Sequence, residues 1–449
     1  MIQSITRQLA DFVASSRPGD IPANVRHEAT RALVNWIGCP INAARHDTVQ
    51  RAFAAVDPFS GPREAVLLGR PEKTDVFKAA FLNSIASSIA DFDDTHLATI
   101  IHPTGPIASA LLALLAVRRL TGCEFLHALL LGIEIECRLA VALAVPPARC
   151  SDAWFLTGLT GGVAAAMAAG KALGLKSEQL LWAAGIAAAR ASGTRETHGT
   201  MAKNLVPAFA AEAGLTAAFL AQQGFTASAT PLEGPRGLAA LYTEASNLPA
   251  LVNNLGTDFE LFRNSYKAFP SGIVTHAAIT AALDLVERAS VPVESISAIE
   301  LIVHPLCLQL CGRRAPATAV EGTFSVYHWV AIALNFRAIK IGYFSDALTI
   351  DEVIVGIRNK IKAKADARYR KDEAHLKVTL ANGTVVEQHV DYALGSVERP
   401  LSDNDLNLKL ADLTQDVLPS DRAELLAKFC WNIEHESDAA RTLHLARAS

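Results

Sequence analysis

Apolar residues recur at helical spacing through the first 265 residues of the chain. The period is clearest in four segments, 24–44, 74–92, 124–145 and 176–191. Apolar positions at i, i+3, i+4 and i+7 share one face of a helix, so each segment predicts a helix. Several are apolar on nearly every face, which is typical of helices inside a bundle. The small residues of 160–174 predict close approach between two buried helices.

The pattern changes after about residue 265. Alternating positions in 293–305 predict a strand, and two alternating runs in 374–393 are joined by Asn382-Gly383, which predicts a β-hairpin. Helical stretches occur near 275–288, 323–336 and 350–362. This mixture is typical of a small α+β domain.

Helical spacing returns from about residue 401 to the end of the chain. We therefore predict a mainly α protein with two domains. Residues 1–265 and 401–449 form a large all-helical domain, and residues 266–400 form a smaller α+β domain.

Composition limits the classes of partner. Of the 449 residues 51% are hydrophobic and 19% are charged, which predicts a large core and a surface partly buried against another subunit. The net charge is −4 and no basic run occurs, so we expect no nucleic-acid partner and no anionic membrane surface. The longest charge-free apolar runs, 106–117 and 156–170, are shorter than the roughly 18 to 20 residues of a membrane span. The seven scattered cysteines form no CxxC pair, and a reducing cytoplasm is the simplest location.

One cluster of acids and imidazoles precedes a wholly apolar segment. Its members are Asp91, Asp93, Asp94, His96 and His102. If the helix predicted over 74–92 continues, Asp91, Asp94 and Thr95 share one face and Asp93 points away. Thr104 is predicted to cap the next helix, whose N-terminus favours a bound carboxylate.

This cluster is open to three further interpretations at this point. It is a capped turn with solvated acids, or a metal site, because Asp and His suit divalent cations. A third is the diphosphate-binding DDxxD helix of terpenoid synthases, but Asp93-Asp94 is followed by Thr95, His96 and Leu97, so the third acid is missing.

Two further segments place polar groups among apolar ones. Residues 193–204 form a polar island with Lys203, which is either a functional cation or a surface lysine. Residues 264–276 place Lys267 and His276 around a tight turn at the predicted domain junction, where ligand clefts are common. Nucleotide fingerprints and a GxSxG elbow are absent from the sequence, so the inventory favours proton transfer on an anionic substrate.

Several motifs together resemble the MmgE/PrpD family, which includes 2-methylcitrate dehydratase, cis-aconitate decarboxylase and iminodisuccinate epimerase. They occur in the family's order over nearly the whole chain: DFDDT…HPTGP, GTMAK, AAEAGLTAAFLAQQGFTAS…LEGPRGL and KAFPS…TH. The resemblance implies a helical domain built from both chain ends, with the α+β domain as a lid. It also implies a homodimer, small di- or tricarboxylate substrates, and no metal or organic cofactor.

The resemblance assigns roles by position. Asp91 matches the catalytic aspartate, Thr95 a substrate-contacting threonine and His102 the HP-motif histidine. Lys203 and Lys267 match the two site lysines that would hold carboxylates. We further expect Thr104 to orient the substrate. His276 and His328 are additional candidates for substrate binding.

This chain departs from the family pattern at four positions. Phe155 replaces the histidine of a W-H-x-T motif, and Val206 replaces a second histidine after the site lysine. Gly272 replaces the Cys or His of PSC or PSH, and His328 stands at the usual tyrosine. We therefore expect a substrate or reaction different from that of the best-known members.

We predict a cofactor-free lyase, a dehydratase or decarboxylase, in which Asp91 and His102 transfer protons beside a substrate carboxylate. An epimerase or isomerase of a dicarboxylate, such as iminodisuccinate, is the runner-up among enzymes. A non-catalytic carboxylate-binding homologue and a metal-dependent diphosphate lyase are less favoured possibilities.

Overall fold

The structure is a computed structural model that describes residues 4–289 and 291–448. Helices cover 57% of the chain, which confirms the mainly α prediction. Ten helices precede residue 265: α1 Ile5–Ser15, α2 Ala23–Asn42, α3 Asp47–Val56, α4 Val76–Ser88, α5 Thr104–Leu114, α6 Gly122–Ala144, α7 Leu156–Leu173, α8 Ser177–Ala188, α9 Leu205–Gln222 and α10 Leu238–Tyr242. Nine follow within the described residues: α11 His276–Arg288, α12 Pro305–Cys311, α13 Ala319–Gly322, α14 Val326–Phe336, α15 Asp346–Ile350, α16 Glu352–Lys360, α17 Asp403–Thr414, α18 Ser420–Trp431 and α19 Arg441–Ala446.

The strands form small sheets. They are β1 Ala65–Val66, β2 Lys73–Thr74, β3 Asp94–His96, β4 Arg149–Cys150, β5 Thr243–Ala245, β6 Asn264–Tyr266, β7 Ile296–Val303, β8 Ile361–Ala365, β9 Ala374–Leu380 and β10 Val385–Val390. One sheet has four strands in the order β10-β9-β7-β8, with β7 and β8 parallel and the other neighbours antiparallel. The predicted strand in 293–305 and the predicted hairpin are both confirmed. Gly383 has φ +84°, the left-handed conformation that a tight hairpin turn requires.

Helix α7 packs against α9 at the centre of the helical part. Almost all of its residues are buried, and Lys171 in its last turn is an exception. A Cβ on Gly214 of α9 would lie 2.5 Å from the Cβ of Ala165 and 2.8 Å from the carbonyl oxygen of Gly162. The small residues in 160–174 therefore permit the close helix contact that the sequence predicts.

Two large hydrophobic cores occupy different parts of the chain, and a small third cluster of Cys39, Ala90, Phe92, Ile341 and Leu413 contains residues from both parts. The first draws on residues 9–266 and 401–446, and the second on residues 269–393. Helix α17 packs on α2, so the C-terminal segment lies against the first core. The two large cores meet close to the predicted boundaries at 265 and 401, with Tyr266 belonging to the first core, and their independence as domains remains a prediction.

Residues Met201–Gln222 are long and apolar enough to cross a membrane by length and composition, the one such stretch within 4–289 and 291–448. Of its most apolar window 67% is buried inside the structure, as expected of a core helix. The sequence analysis considered only charge-free apolar runs, and Lys203 and Glu212 interrupt this segment. The segment was therefore not recognised as long enough to cross a membrane.

Candidate active site

The acidic segment leaves its helix earlier than the sequence predicts. Helix α4 ends at Ser88, and Asp91 adopts a left-handed conformation with φ +49°. Asp94 and Thr95 then enter β3, which pairs antiparallel with β6. The predicted shared helical face of Asp91, Asp94 and Thr95 is therefore wrong, because the backbone turns before these residues are reached. Left-handed backbone is tolerated by aspartate better than by most residues.

Asp91 lies between two lysine ammonium groups. Lys203 Nζ is 2.7 Å from Asp91 Oδ1, and Lys267 Nζ is 2.8 Å from Asp91 Oδ2. Lys267 Nζ also donates to the Asp91 carbonyl oxygen at 2.8 Å, and Lys203 Nζ to the Ser88 carbonyl oxygen at 3.0 Å. All three charged side chains are buried. The interpretations as solvated acids and a surface lysine are therefore wrong.

These contacts set the ionisation of Asp91. Burial by itself raises the pKa of the Asp91 carboxyl, but Lys203 and Lys267 outweigh it and hold that pKa well below its usual range. Asp91 is therefore a carboxylate at neutral pH and a poor proton donor in this state.

His102 is oriented by the neighbouring acid. Its Nδ1 is 2.8 Å from Asp93 Oδ1, and its Nε2 is 3.8 Å from Asp91 Oδ1. Burial raises the pKa of Asp93, but His102, Lys267 and Lys203 together outweigh burial, and the net shift of this pKa is downward. Nδ1–H therefore donates to the Asp93 carboxylate, which leaves Nε2 facing Asp91. The prediction that Asp93 points away is wrong, because His102 returns after the turn to meet it.

Asp94, the third acid of the segment, accepts hydrogen bonds from uncharged side chains. Asp94 Oδ2 accepts from the Thr104 hydroxyl at 2.7 Å and from Asn264 Nδ2 at 2.6 Å. Burial and then Asp93 raise the pKa of Asp94. Thr104 is the first residue of α5 and makes no cap hydrogen bond, so its predicted capping role is wrong. The Thr95 hydroxyl lies 3.5 Å from His102 Nδ1 and is likewise buried beside the cluster.

A cleft opens above this cluster between the two cores. Residues that precede position 268 contribute one group of lining residues, of which Ile100 packs against the second core: Asp91, Ile100, His102, Phe155, Arg195, His198 and Lys267. The second core and its neighbours contribute the other group: Gly272, Ile273, Val274, Leu310, Cys311 and Phe324. The cavity volume is about 30 Å³, and it lies within about 400 Å³ of empty space that includes the open mouth of the cleft. This state holds about one or two waters, so a polycarboxylate requires the cleft to widen.

The structure therefore brings together Asp91, His102 and Lys267 at the cleft, with Lys203 directly behind Asp91. Thr95 and Thr104 lie in the layer beneath. His276 and His328 are not among the residues that line this cleft. His276 Nε2 is 3.3 Å from the Ser271 carbonyl oxygen, and burial lowers the pKa of its imidazole to about 3.

His328 lies in the second core beside Trp329, and burial lowers the pKa of its imidazole to about 4. Its Nδ1 is buried without a hydrogen-bond partner among the described residues. The substrate-binding roles of His276 and His328 remain predictions that this geometry disfavours, since both rings are buried and neither lines the cleft.

Two of the missing family groups have chemical equivalents nearby in space. Phe155 lies edge-on to His102 with ring centroids 5.8 Å apart, and the His198 ring lies 5.1 Å from Phe155 on the cleft wall. At Gly272, a Cβ would lie 2.6 Å from Cys311 Sγ, so a thiol from α12 occupies this space. Val206 is buried and would contact a Cβ placed on Gly158 or Gly193.

Sequence reasoning missed four residues at or beside the site. Arg195 and His198 line the cleft. Both belong to the polar island 193–204, from which the sequence analysis chose only Lys203 as a candidate site residue. Cys311 was only one of the seven scattered cysteines, to which no role was assigned. Lys409 of α17 gave no local signal, although its Nζ donates to Asn35 Oδ1, the Phe92 carbonyl oxygen and the Lys267 carbonyl oxygen at 2.6–2.8 Å.

Among the residues that the structure describes, two groups of side chains have the spacing of metal ligands. Asp91, Asp93 and His102 form one group, and the surface residues Glu373, His389 and Asp391 form the other. In the first group, Asp91 already accepts from two ammonium groups. Their positive charge opposes a metal cation at the same place.

Comparison with known proteins places the chain in a family. The MmgE/PrpD N-terminal domain matches residues 7–250, and the MmgE/PrpD C-terminal domain matches residues 269–433. The chain belongs to the MmgE/PrpD family. This confirms the resemblance seen in the sequence motifs.

Curated relatives of this MmgE/PrpD protein match along almost their full length. Human cis-aconitate decarboxylase is 26% identical, over 98% of this chain and 94% of the relative. Cis-aconitate decarboxylase of Aspergillus terreus is 22% identical, over 98% and 95% respectively. A cis-aconitate decarboxylase-like protein, oryM, of Aspergillus oryzae is 23% identical, over 98% and 97%. These relatives support a lyase of the MmgE/PrpD family.

Proposed function

We propose that this chain is a cofactor-free carboxy-lyase for cis-aconitate or a closely similar unsaturated polycarboxylate. One observation carries the proposal: an oriented imidazole and a lysine ammonium face a narrow, largely apolar cleft. The names of the curated relatives support the decarboxylation of cis-aconitate in particular.

The reaction requires two things of the protein. Loss of CO₂ breaks a carbon–carbon bond and leaves its electron pair on the substrate, where it delocalises through the double bond toward a neighbouring carboxylate. A proton must then add to a carbon atom. A fixed cation stabilises the developing negative charge most strongly where water is excluded, and a positioned acid supplies the proton.

His102 is the proposed proton donor. Asp93 fixes its ring through Nδ1, and Nε2 is directed toward the side of the cleft where Asp91 and Lys267 lie. Lys267 is the proposed cation for the developing charge, because its ammonium is fixed by Asp91 and needs no rearrangement.

Asp91 holds the two lysines in this proposal. Both of its carboxylate oxygens accept from ammonium groups and its pKa is held well below the usual range, so it is a weak proton carrier at neutral pH. The role in proton transfer predicted from the sequence would require a substrate carboxylate to displace one lysine. Lys203 neutralises the second oxygen from behind the cleft.

A homodimer in the cytoplasm also remains a proposal. Large apolar side chains are exposed on the helical part, for example Leu241 at 70% and Phe225 at 59%. Such side chains are consistent with a surface covered by a second copy. Sedimentation at micromolar concentration gives the oligomeric state directly.

The test is turnover of cis-aconitate in deuterium oxide, followed by CO₂ release and proton NMR. We expect one CO₂ per substrate and one deuterium on a carbon of the product. His102→Gln is expected to lower kcat by about 10²- to 10⁴-fold, the usual contribution of a general acid. His27→Gln, at an exposed imidazole, is the control. EDTA is expected to leave the rate unchanged.

Each remaining result has a distinct meaning. Deuterium exchange without CO₂ release would indicate an isomerase, the runner-up from the sequence. Binding of cis-aconitate without any turnover would indicate a non-catalytic homologue. Full activity of His102→Gln would show that the proton donor is elsewhere.

A further inference from the structure

Arg195 lines the cleft without a partner for its charge. It begins a short 3-10 turn, Arg195–Thr197, in which the Arg195 N–H donates to the Ala153 carbonyl oxygen at 2.8 Å. Across the described residues, no hydrogen bond or ion pair joins the guanidinium to another side chain. The backbone of the turn is therefore fixed, while the Arg195 guanidinium remains available to bind a ligand.

The surroundings make this arrangement costly. Burial lowers the pKa of Arg195, and Asp152 opposes that effect only through space. Asp152 Oδ2 instead accepts from Gln309 Nε2 at 2.5 Å. A partly buried guanidinium without a carboxylate partner loses hydration that nothing replaces. Such a group at a cleft wall indicates that an anionic ligand completes it.

The balance of charge in the cleft leads to the same conclusion. Lys203 and Lys267 are matched by the carboxylates of Asp91 and Asp93. These four charges cancel, and the protonated His102 of the proposed function adds one positive charge, which is too little to balance a substrate with two or three carboxylates. Arg195 is the further cation among the lining residues.

His198 holds the Arg195 turn against the cleft wall. Its Nδ1 donates to the Arg195 carbonyl oxygen at 2.8 Å. Its ring lies between Phe155 and Phe324, with both centroids 5.1 Å away. The guanidinium is therefore attached to a packed element, which reduces the entropy lost when a ligand binds.

We propose that Arg195 binds a substrate carboxylate remote from the carbon that His102 protonates, and that it thereby selects polycarboxylates. This inference rests on the proposed function of the same cleft. The planar guanidinium matches a carboxylate through two parallel N–H···O bonds, which lysine does not reproduce.

The experiment compares wild type with Arg195→Gln by calorimetry, using crotonate, glutaconate and cis-aconitate, which carry one, two and three carboxylates. Arg195→Gln is expected to weaken cis-aconitate binding by about 10- to 100-fold, the range for a charge-assisted hydrogen bond. Crotonate binding is expected to change less than about twofold, and Arg195→Lys should be intermediate. In turnover, KM should rise while kcat changes little, as expected for lost uniform binding.

Arg149→Gln is the matched control, because Arg149 is exposed on β4 with its nearest acid, Glu244, at 3.9 Å. Circular dichroism confirms the fold of each variant. Equal cis-aconitate affinity in wild type and Arg195→Gln would overturn the role of Arg195. Decarboxylation by wild type would in that case still support the proposed function. Equal loss of all three ligands also overturns it. Absence of both binding and turnover in wild type overturns both proposals.

Discussion

Replacing Asp91 by asparagine tests the buried charge cluster directly. The Asp91 and Lys203 residues are each 3% exposed and Lys267 is fully buried, so water cannot take over the role of the lost carboxylate. An asparagine offers one acceptor oxygen and turns an NH₂ group toward the second ammonium. Removing one partner of a buried charge cluster costs about 3 to 5 kcal/mol. We expect Asp91→Asn to lower the free energy of unfolding by this amount at pH 7.

The assay is denaturant unfolding followed by circular dichroism, with Lys203→Met and the double variant measured alongside. Lys203→Met leaves a neutral Asp91–Lys267 pair and should cost less than Asp91→Asn. Adding Lys203→Met to Asp91→Asn removes one of the two unpaired charges, so the double variant should be more stable than the sum of the single effects predicts. Asp258→Asn, at an exposed pair with Arg263, should cost less than about 1 kcal/mol.

The pH dependence gives an independent check. The folded pKa of Asp91 lies below its unfolded value of about 3.9, so its contribution is complete above that pH and is lost as the pH falls toward the folded pKa. The stability difference between wild type and Asp91→Asn should therefore shrink below about pH 4. A destabilisation under about 1 kcal/mol at pH 7, or strict additivity of the two single variants, would refute the reasoning.

Two further variants test the packing at Gly272 and the pH dependence of stability that arises from Lys409. Gly272→Ala puts a Cβ 2.6 Å from Cys311 Sγ on a backbone that alanine accepts (φ −55°), so we expect about 1 to 3 kcal/mol of overpacking. Thermal unfolding should show most of this recovered in Gly272→Ala/Cys311→Ala; no recovery would mean that another contact is strained. Burial lowers the pKa of Lys409 to about 8 in the folded state, whereas an unfolded lysine has a pKa of about 10.4. Between these two pH values the folded state binds fewer protons than the unfolded state. The free energy of unfolding of wild type should therefore rise by about 3 kcal/mol relative to that of Lys409→Met as the pH increases. A pH-independent difference in denaturant unfolding would contradict it.

Local patterns were enough to predict most of the fold. The helical period predicted α2, α6 and α8 within a few residues, and the alternation around Asn382-Gly383 predicted the β9–β10 hairpin. These predictions succeeded because each depends on residues close in the chain. The α4 helix was extended too far, since the turn at Asp91 depends on lysines more than 100 residues away.

The site shows the same limit. Asp91, His102, Lys203 and Lys267 were selected through a family resemblance, and the structure places them in one cluster. Chain position alone could not show that His198 lies against Phe155 or that Cys311 fills the space beside Gly272, because these neighbours belong to distant segments. Arg195 was passed over because an unpaired guanidinium is recognisable only when its surroundings are known.

The residues that line the cleft differ between its two sides. The second-core side consists of Gly272, Ile273, Val274, Leu310, Cys311 and Phe324, none of which carries a formal charge. Lys267 precedes that core and stays with the acidic segment, because the adjoining strand β6 pairs with β3. A hinge at residues 268 and 269 would therefore part the uncharged lining of the cleft, and at its rim the Gln309–Asp152 and Lys371–Ala98 hydrogen bonds would break. Every ion pair of the cluster would survive the opening, so the lysines and the imidazole would keep their arrangement before and after closure.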